Sequence, residues 1–433
     1  MDTQRPDVVE SGARLGLIVA AVMAATLMQT LDFIKPPGVS GDDWEPAMVA
    51  DKQGHLYVAF AHAVVARERR GTYHTRLLVQ RSDDGVHWNA PIAVAPPAPK
   101  GSEGQFDPWF TLAPDGRSLS LGFLQGYPHA PVEVVTSRNL GQSWSAPIGV
   151  SSLPPLLDKV VLALRGALMA VAYTDYHAHV IASVSTNQGT TWSTHVIATI
   201  HGLTDSSQML VSGGSIDSKR NIFFTWDATW SSHHRPAPAA VWITRSGDRG
   251  ASWTTTTIGY SGLPPRCRQC QDREFFAAQL TMAVGTDDRL YLLWNATSPS
   301  EKNGNGAPER VYLVSSSDRG HTFSEPREVS DAPTSAAHCF PAIATGPLPG
   351  DVRVAWMDTR SGEWNAYYRA SRDGGLTFEP TVRLSSGRAV DFGVPYGDYM
   401  QLAVDRAGLT HAAWGEDDNQ ANPGNIWIAN QIR

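Results

Sequence analysis

One short phrase recurs six times along this chain, and it restricts the fold more than any other feature. The phrase reads Ser-x-Asp-x-Gly-x-Thr-Trp, and the copy from Ser371 to Phe378 keeps it almost unchanged. The others run from Ser316 to Phe323, Ser246 to Trp253, Ser185 to Trp192, Ser137 to Trp144 and Arg81 to Trp88. Their glycines, Gly85, Gly141, Gly189, Gly250, Gly320 and Gly375, stand 48 to 70 residues apart. Self-similarity at such a period signals a repeat architecture. Physically, each copy reads as a tight turn. An Asp or Asn side chain (Asp83, Asn139, Asn187, Asp248, Asp318, Asp373) accepts hydrogen bonds from backbone N–H groups just ahead of it. The glycine takes a positive φ, and the aromatic packs inward as the next strand begins. The most regular acids of the chain therefore read as structural, not catalytic.

A second periodicity counts the units. Seven aromatic residues, Phe60, Phe123, Tyr173, Trp226, Trp294, Trp356 and Trp414, each end an apolar run such as His55 to Phe60 or Arg289 to Trp294. Short runs of this kind, bounded by Gly, Asp and Pro, are strand signals. Each follows another apolar run and precedes a loop, a third strand, the repeated turn and a fourth strand. Four antiparallel strands per unit describe a propeller blade. The sequence thus predicts an all-β, seven-bladed β-propeller, with a six-bladed ring carrying one degenerate unit as the alternative. The chain ends just after Ile426–Ala429, the third strand of the last unit. Residues 33–40 are expected to lend the missing outer strand, and a closed ring leaves only short, protected edges.

Composition agrees with many short strands and turns: 42 % hydrophobic and 18 % charged residues, with 38 Gly and 29 Pro. At 433 residues a length prior suggests two or three domains, but the repeats override it and make residues 33–433 one domain. A net charge of −7 without a basic stripe argues against nucleic acid as a partner. Residues 15–28 form an uncharged apolar run behind Arg14. The run is shorter than the roughly 20 residues of a full span and suits a signal-peptide core. Residues 1–32 are expected to be a signal peptide or an uncleaved membrane anchor, placing the protein outside the cytoplasmic membrane.

Three cysteines, Cys267, Cys270 and Cys339, are an odd count for an exported chain. The first two precede the first strand of the fifth unit, and Cys339 opens that of the sixth. A disulfide from Cys339 to Cys267 or Cys270 is the leading expectation. A zinc site of these three with His338 has suitable ligand types, and unpaired thiols are the third reading. The sequon at Asn295 to Thr297 matters only in a host that glycosylates.

Propellers bind ligands at the face opposite the repeated turns, where the loops entering the first strands and those joining second to third strands converge. Acids stand near the start of six first strands: Glu45, Asp107, Asp158, Asp205, Glu274 and Asp398. Polar residues follow the seven aromatics: His62, Gln125, Asp175, Asp227, Asn295, Asp358 and Glu416. Single acids at these openings can simply cap neighbouring backbone N–H groups. As a set they suggest a cation site, since oxygen-rich rings such as Glu45, Asp158 and Asp398 suit calcium. An acid–base pair in a glycan-binding funnel is the other functional reading, with Trp230 and other loop aromatics stacking on sugar rings.

The six phrases resemble the Asp-boxes, or BNR repeats, of the sialidase superfamily, and over residues 44–433 the chain is similar to secreted bacterial sialidase-like propellers. Trp356 to Arg360, Tyr367 to Arg369 and Gly397 to Tyr399 look like recurrent phrases of that family. The resemblance implies an exported, exo-acting glycoside hydrolase. Such enzymes hold the substrate carboxylate with three arginines and use a Tyr–Glu nucleophile pair with an Asp acid/base, a departure from the usual carboxylate pair. The Arg-Ile-Pro motif that normally supplies one arginine is missing near the first unit, and seven units is a second departure. By chemistry, an analogous set comprises Arg273 and Arg360 as carboxylate clamps, Asp107 as acid/base, and Tyr399 with Glu274 as nucleophile pair, with Asp358 and Trp230 in the binding surface. The competing expectation is a non-catalytic propeller that binds a glycan or a protein, or serves as an envelope assembly scaffold, because acids outnumber arginines at the mouth.

Overall fold

The computed structural model describes residues 28–32, 41–63, 74–114, 116–127, 131–150, 157–175, 179–201, 208–229, 238–262, 278–297, 299, 308–385, 394–417 and 424–431. All regular structure in these residues is β-strand. The strands form five four-stranded sheets and one eight-stranded sheet. The eight-stranded sheet consists of two successive meanders, each antiparallel within itself, joined by a single parallel pairing of Thr75 with Gly104. The first strands, Asp42–Ala50, Gly104–Leu112, Leu157–Arg165, Gln208–Ile216, Leu280–Val284, His338–Thr345 and Val394–Val404, pack one beside the next, and the last returns against the first. Sheets arranged radially about such a ring of inner strands make a β-propeller.

Ring closure differs from the sequence expectation in position. Met28–Asp32 pairs antiparallel with Asn425–Gln431 as the outermost strand of the last sheet. The closing strand is therefore drawn from residues 28–32 and not from 33–40, which lie outside the described residues. Pro36 and Pro37 in that stretch have no N–H to offer a ladder.

The seven aromatics sit within the second strands and do not end them; Tyr173, for example, lies in Leu168–Asp175 and Trp356 in Val352–Asp358. All seven are buried. Both faces of each sheet are covered by neighbouring sheets, so these strands read as continuous apolar runs. In Leu56–Ala63, Tyr57, Ala59 and Ala61 pack toward Phe110 and Leu119, while Val58 and Phe60 pack toward Ala413 and Ile428. Trp226 stacks on Trp242 with ring centroids 4.3 Å apart and donates its indole N–H to Thr244.

Five of the six repeated turns share one geometry. In the last copy, Ser371 Oγ accepts the Gly375 N–H at 2.8 Å and donates to Asp373 Oδ1, which accepts the Thr377 N–H at 2.9 Å. Gly375 lies at φ +84°, where a side chain is strained. The first copy is one residue shorter between Ser82 and Gly85, and this moves the acid. Asp84, not Asp83, bonds Ser82 and accepts the Val86 and His87 N–H groups, while Asp83 lies outside the turn and pairs with Arg81 at 2.8 Å. A second family of turns, unremarked in the sequence, joins first to second strands on the same face. Asp51, Asp217 and Asp405 each accept the N–H of the residue four positions on, as in His55 N to Asp51 Oδ1 at 3.0 Å.

Candidate functional site

The first strands are bulged toward the mouth, the face opposite the repeated turns. Register breaks lie between Trp44 and Ala47, Phe106 and Trp109, Asp158 and Val160, Val211 and Gly213, Cys339 and Ala342, and Pro395 and Met400. A bulge inserts an extra residue and re-aims its side chain. Four of these residues adopt positive φ: Glu45 (56°), Asp107 (53°), Lys159 (52°) and Phe340 (49°). Such backbone is costly for non-glycine residues and persists where the surroundings fix it.

A ladder of side chains fixes it. Glu45 Oε2 accepts the Asp107 N–H at 2.9 Å, and Asp107 Oδ2 accepts the Lys159 N–H at 3.3 Å. Lys159 Nζ returns to Asp107 Oδ1 at 3.2 Å, with both side chains almost fully buried. Gln279 Oε1 accepts the Phe340 N–H at 3.1 Å. At these three junctions one sheet thus grips the bulge of its neighbour through a polar side chain. The cavity on the axis, lined by Lys159, Ser212, Gln279, Thr281, Phe340 and Gln401 among others, measures about 30 Å³. That volume suits a water molecule rather than a sugar ring; larger cavities of about 250 and 440 Å³ lie between neighbouring sheets near the repeated turns, lined by Thr136, Arg138 and Gln188 and by Arg81, Asn89 and Gln142.

The second polar ring belongs to the ends of the second strands, not to loops. His62, Gln125, Asp227, Asn295, Asp358 and Glu416 are buried there. Each engages its own sheet or the next: Gln125 accepts from Gln105, Asn295 bridges Gln279 and Glu309, and Glu416 accepts the Trp414 indole N–H. Burial raises the Asp227 carboxyl to about 8, against the N–H of Leu280, Ser212 and the charge of Lys159. Burial likewise raises Glu309 to about 8, opposed by the His338 N–H and the Asn295 amide. His338 is pushed down to about 3 by burial, with Arg310 and Arg360 adding to the effect, and neither ring nitrogen has a hydrogen-bond partner. Asn295, the acceptor of the sequon, is fully buried and doubly bonded.

The residues singled out in the sequence fare unequally. Asp107 is tied to Lys159 and caps a neighbouring bulge. Arg360 and Asp358, both expected at the binding surface, are partners of each other. The Arg360 Nη2 lies 2.8 Å from Asp358 Oδ2, its Nη1 2.6 Å from Asp331, and its plane 4.3 Å from the Tyr367 ring. The guanidinium is thus held by two carboxylates in place of the substrate carboxylate expected of it. Glu45 caps Asp107, and Asp158 accepts its neighbour's N–H, from Lys159. Among the described residues no three His, Cys, Asp or Glu side chains converge as a metal site. Cys339 is a free, fully buried thiol, raised well above its usual value by burial. Among the described residues it has no disulfide partner, and Cys267 and Cys270, the partners expected for it, lie outside them. So do Asp205, Trp230, Arg273 and Glu274, and the side chains of Asp398 and Tyr399. Sequence reasoning passed over Asp43, Lys159, Ser212, Gln279 and Glu309. Their signal is positional, since each faces or adjoins a ring member across a strand pair.

No family model matches the chain, and no curated protein matches it in sequence. Solved structures do match. A protein of unknown function from Dyadobacter fermentans is 14 % identical, with a TM-score of 0.53 over 94 % of this chain and 99 % of that one. An ulvan lyase bound to an oligosaccharide, described as a new family of polysaccharide lyase, is 11 % identical, with a TM-score of 0.52 over 92 % of this chain and 95 % of that one. The NanB sialidase of Streptococcus pneumoniae is 12 % identical with a TM-score of 0.48, covering 91 % of this chain and 70 % of that one. At such identities the likeness is one of fold alone, a β-propeller.

Proposed function

We propose that this chain is an exported, seven-bladed propeller that recognises a glycan at its mouth. The observation that carries the reading is the plugged axis. Seven inner strands meet around a cavity of about 30 Å³, too small for a sugar ring, and the polar side chains at the mouth above it supply the donors and acceptors that a sugar needs. Its likeness over nearly full length to an oligosaccharide-bound lyase supports a sugar as that ligand. Residues 33–433 together with the closing strand at 28–32 form the domain in this reading, and the leader or anchor precedes residue 28.

Sialidase-type hydrolysis rests on Tyr399, Glu274 and Arg273, because Asp107 and Arg360 are held by Lys159 and by Asp358 with Asp331. That mutual pairing of mouth charges favours recognition over turnover, and an envelope protein is the second ligand class it allows. The test is a broad glycan array with the purified protein, run beside fluorogenic sialosides with and without calcium. Binding to a defined glycan class is the expected result, and an array that stays empty overturns the reading. Sialoside turnover abolished by Glu274→Gln or Tyr399→Phe would add hydrolysis.

A further inference from the structure

Three Asp–His pairs stand at the mouth ends of the strands, and they differ in what their imidazoles can reach. His338 lies 3.9 Å from Asp358 and is fully sealed. His179 lies 2.9 Å from Asp175 with a third of its side chain open, on a turn. His62 is intermediate. Its Nδ1 is 2.6 Å from Asp43 Oδ1, and the two side chains keep only 8 % and 3 % of their surface open. An ionised carboxylate only accepts, so with Asp43 as acceptor Nδ1 carries the hydrogen, and in the neutral imidazole Nε2 presents a lone pair. Among the described residues Nε2 has no partner, yet it is not among the atoms sealed from solvent.

The surroundings fix the orientation of that ring. Asp43 faces His62 directly across the first strand pair. Side chains two apart share a face of a strand, so His62 lies on the side of Val58 and Phe60, which pack against Ile426 and Ile428 of the last sheet. Asp43 N–H donates to Gly424 O at 3.1 Å, and Gly424 N–H donates to Asp42 Oδ1 at 2.6 Å, pinning the seam where the ring closes. At Gly41 a Cβ would lie 2.4 Å from His62 Cε1 and 3.0 Å from Nε2, so the glycine backbone packs against this edge of the ring and a larger residue would collide with it.

We infer that the seam between the first and last sheets is a glycan contact point, where His62 Nε2, oriented by Asp43, accepts a hydrogen bond from a sugar hydroxyl. The inference rests on the glycan reading above and names a subsite for it. Diethylpyrocarbonate acylates the open nitrogen of a neutral imidazole and tests it in the wild-type protein. Exposed His87, on the opposite face with 87 % of its side chain open, is the reactive control, and sealed His338 the inert one. His62 should react in the free protein, by peptide mass mapping, and roughly tenfold more slowly when saturated with the glycan found on the array. His62→Gln should bind that glycan roughly tenfold more weakly. A bound glycan that leaves the His62 rate unchanged overturns the subsite while glycan recognition stands. An unreactive His62 beside a reactive His87 also overturns it. An array with no bound glycan removes both readings, and if His62→Gln does not fold the wild-type footprint decides.

Discussion

Replacing Arg360 with alanine separates a structural arginine from a substrate clamp. In the structure its guanidinium lies 2.8 to 3.0 Å from the Asp358 carboxylate through Nε and Nη2. Asp358 is fully buried, whereas the Arg360 side chain is 17 % exposed. Removing one partner of a buried pair costs about 3–5 kcal/mol because the other charge is left uncompensated. Asp358 would keep the Trp356 indole N–H at 2.7 Å and the main-chain N–H of residue 360 at 2.9 Å, which favours the low end. Loss of the stack over Tyr367 adds about 1 kcal/mol. The contact with Asp331, a side chain 45 % exposed, adds little. The expected loss is therefore about 3–4 kcal/mol, read from urea midpoints at constant m. Asp358→Asn in the Arg360→Ala background should recover part of it, with a coupling of about 2 kcal/mol in the double-mutant cycle. A loss below about 1 kcal/mol accompanied by weakened glycan binding would refute the reasoning and return Arg360 to the substrate.

Three further outcomes follow from the same geometry. Asp227 and Glu309, held near 8 in the fold, keep protons that the unfolded chain releases at ordinary carboxyl values. Stability should therefore be greatest on their account at low pH and fall as pH rises from about 4 through 8, by about 1.4 kcal/mol per pH unit for each group, and Asp227→Asn should flatten that slope in denaturation series. His338 acts oppositely: with a folded value near 3 its contribution is present above about 6.5 and is lost as pH falls. Asp84→Ala should cost about 1–2 kcal/mol through its lost turn bonds, and Asp83→Ala less than about 0.5 kcal/mol as an exposed pair. Equal melting shifts for the two would contradict the shortened first turn. A chain starting at residue 28 should match the full chain in unfolding free energy. One starting at residue 33 should lose about 2 kcal/mol with the outer strand, and equal stability of the two would place closure elsewhere.

Local chemistry made much of this legible. The turn residues act within six positions of one another, so Ser371, Asp373, Gly375 and Thr377 declare their geometry in the sequence. The one misread acid, Asp83, follows from a single missing residue that shifted the register of the phrase. The mouth was less legible because its residues are defined across strands. His62 was named as a ring member, but its partner Asp43 lies 19 positions away and meets it only through antiparallel register. Arg360 carries the right charge for a clamp, and only its two carboxylate neighbours show that the charge is already met.

By itself, the sequence determined an all-β chain of repeated four-strand units with polar turns on one face, because turn chemistry and strand periodicity are encoded over a few residues. The tertiary structure alone decided where the ring closes, how the bulges of Glu45, Asp107 and Lys159 lock one sheet to the next, and which mouth charges are paired. Those outcomes depend on side chains meeting across sheets, where burial and geometry, rather than residue type, decide whether a carboxylate caps, pairs or stands open to a ligand.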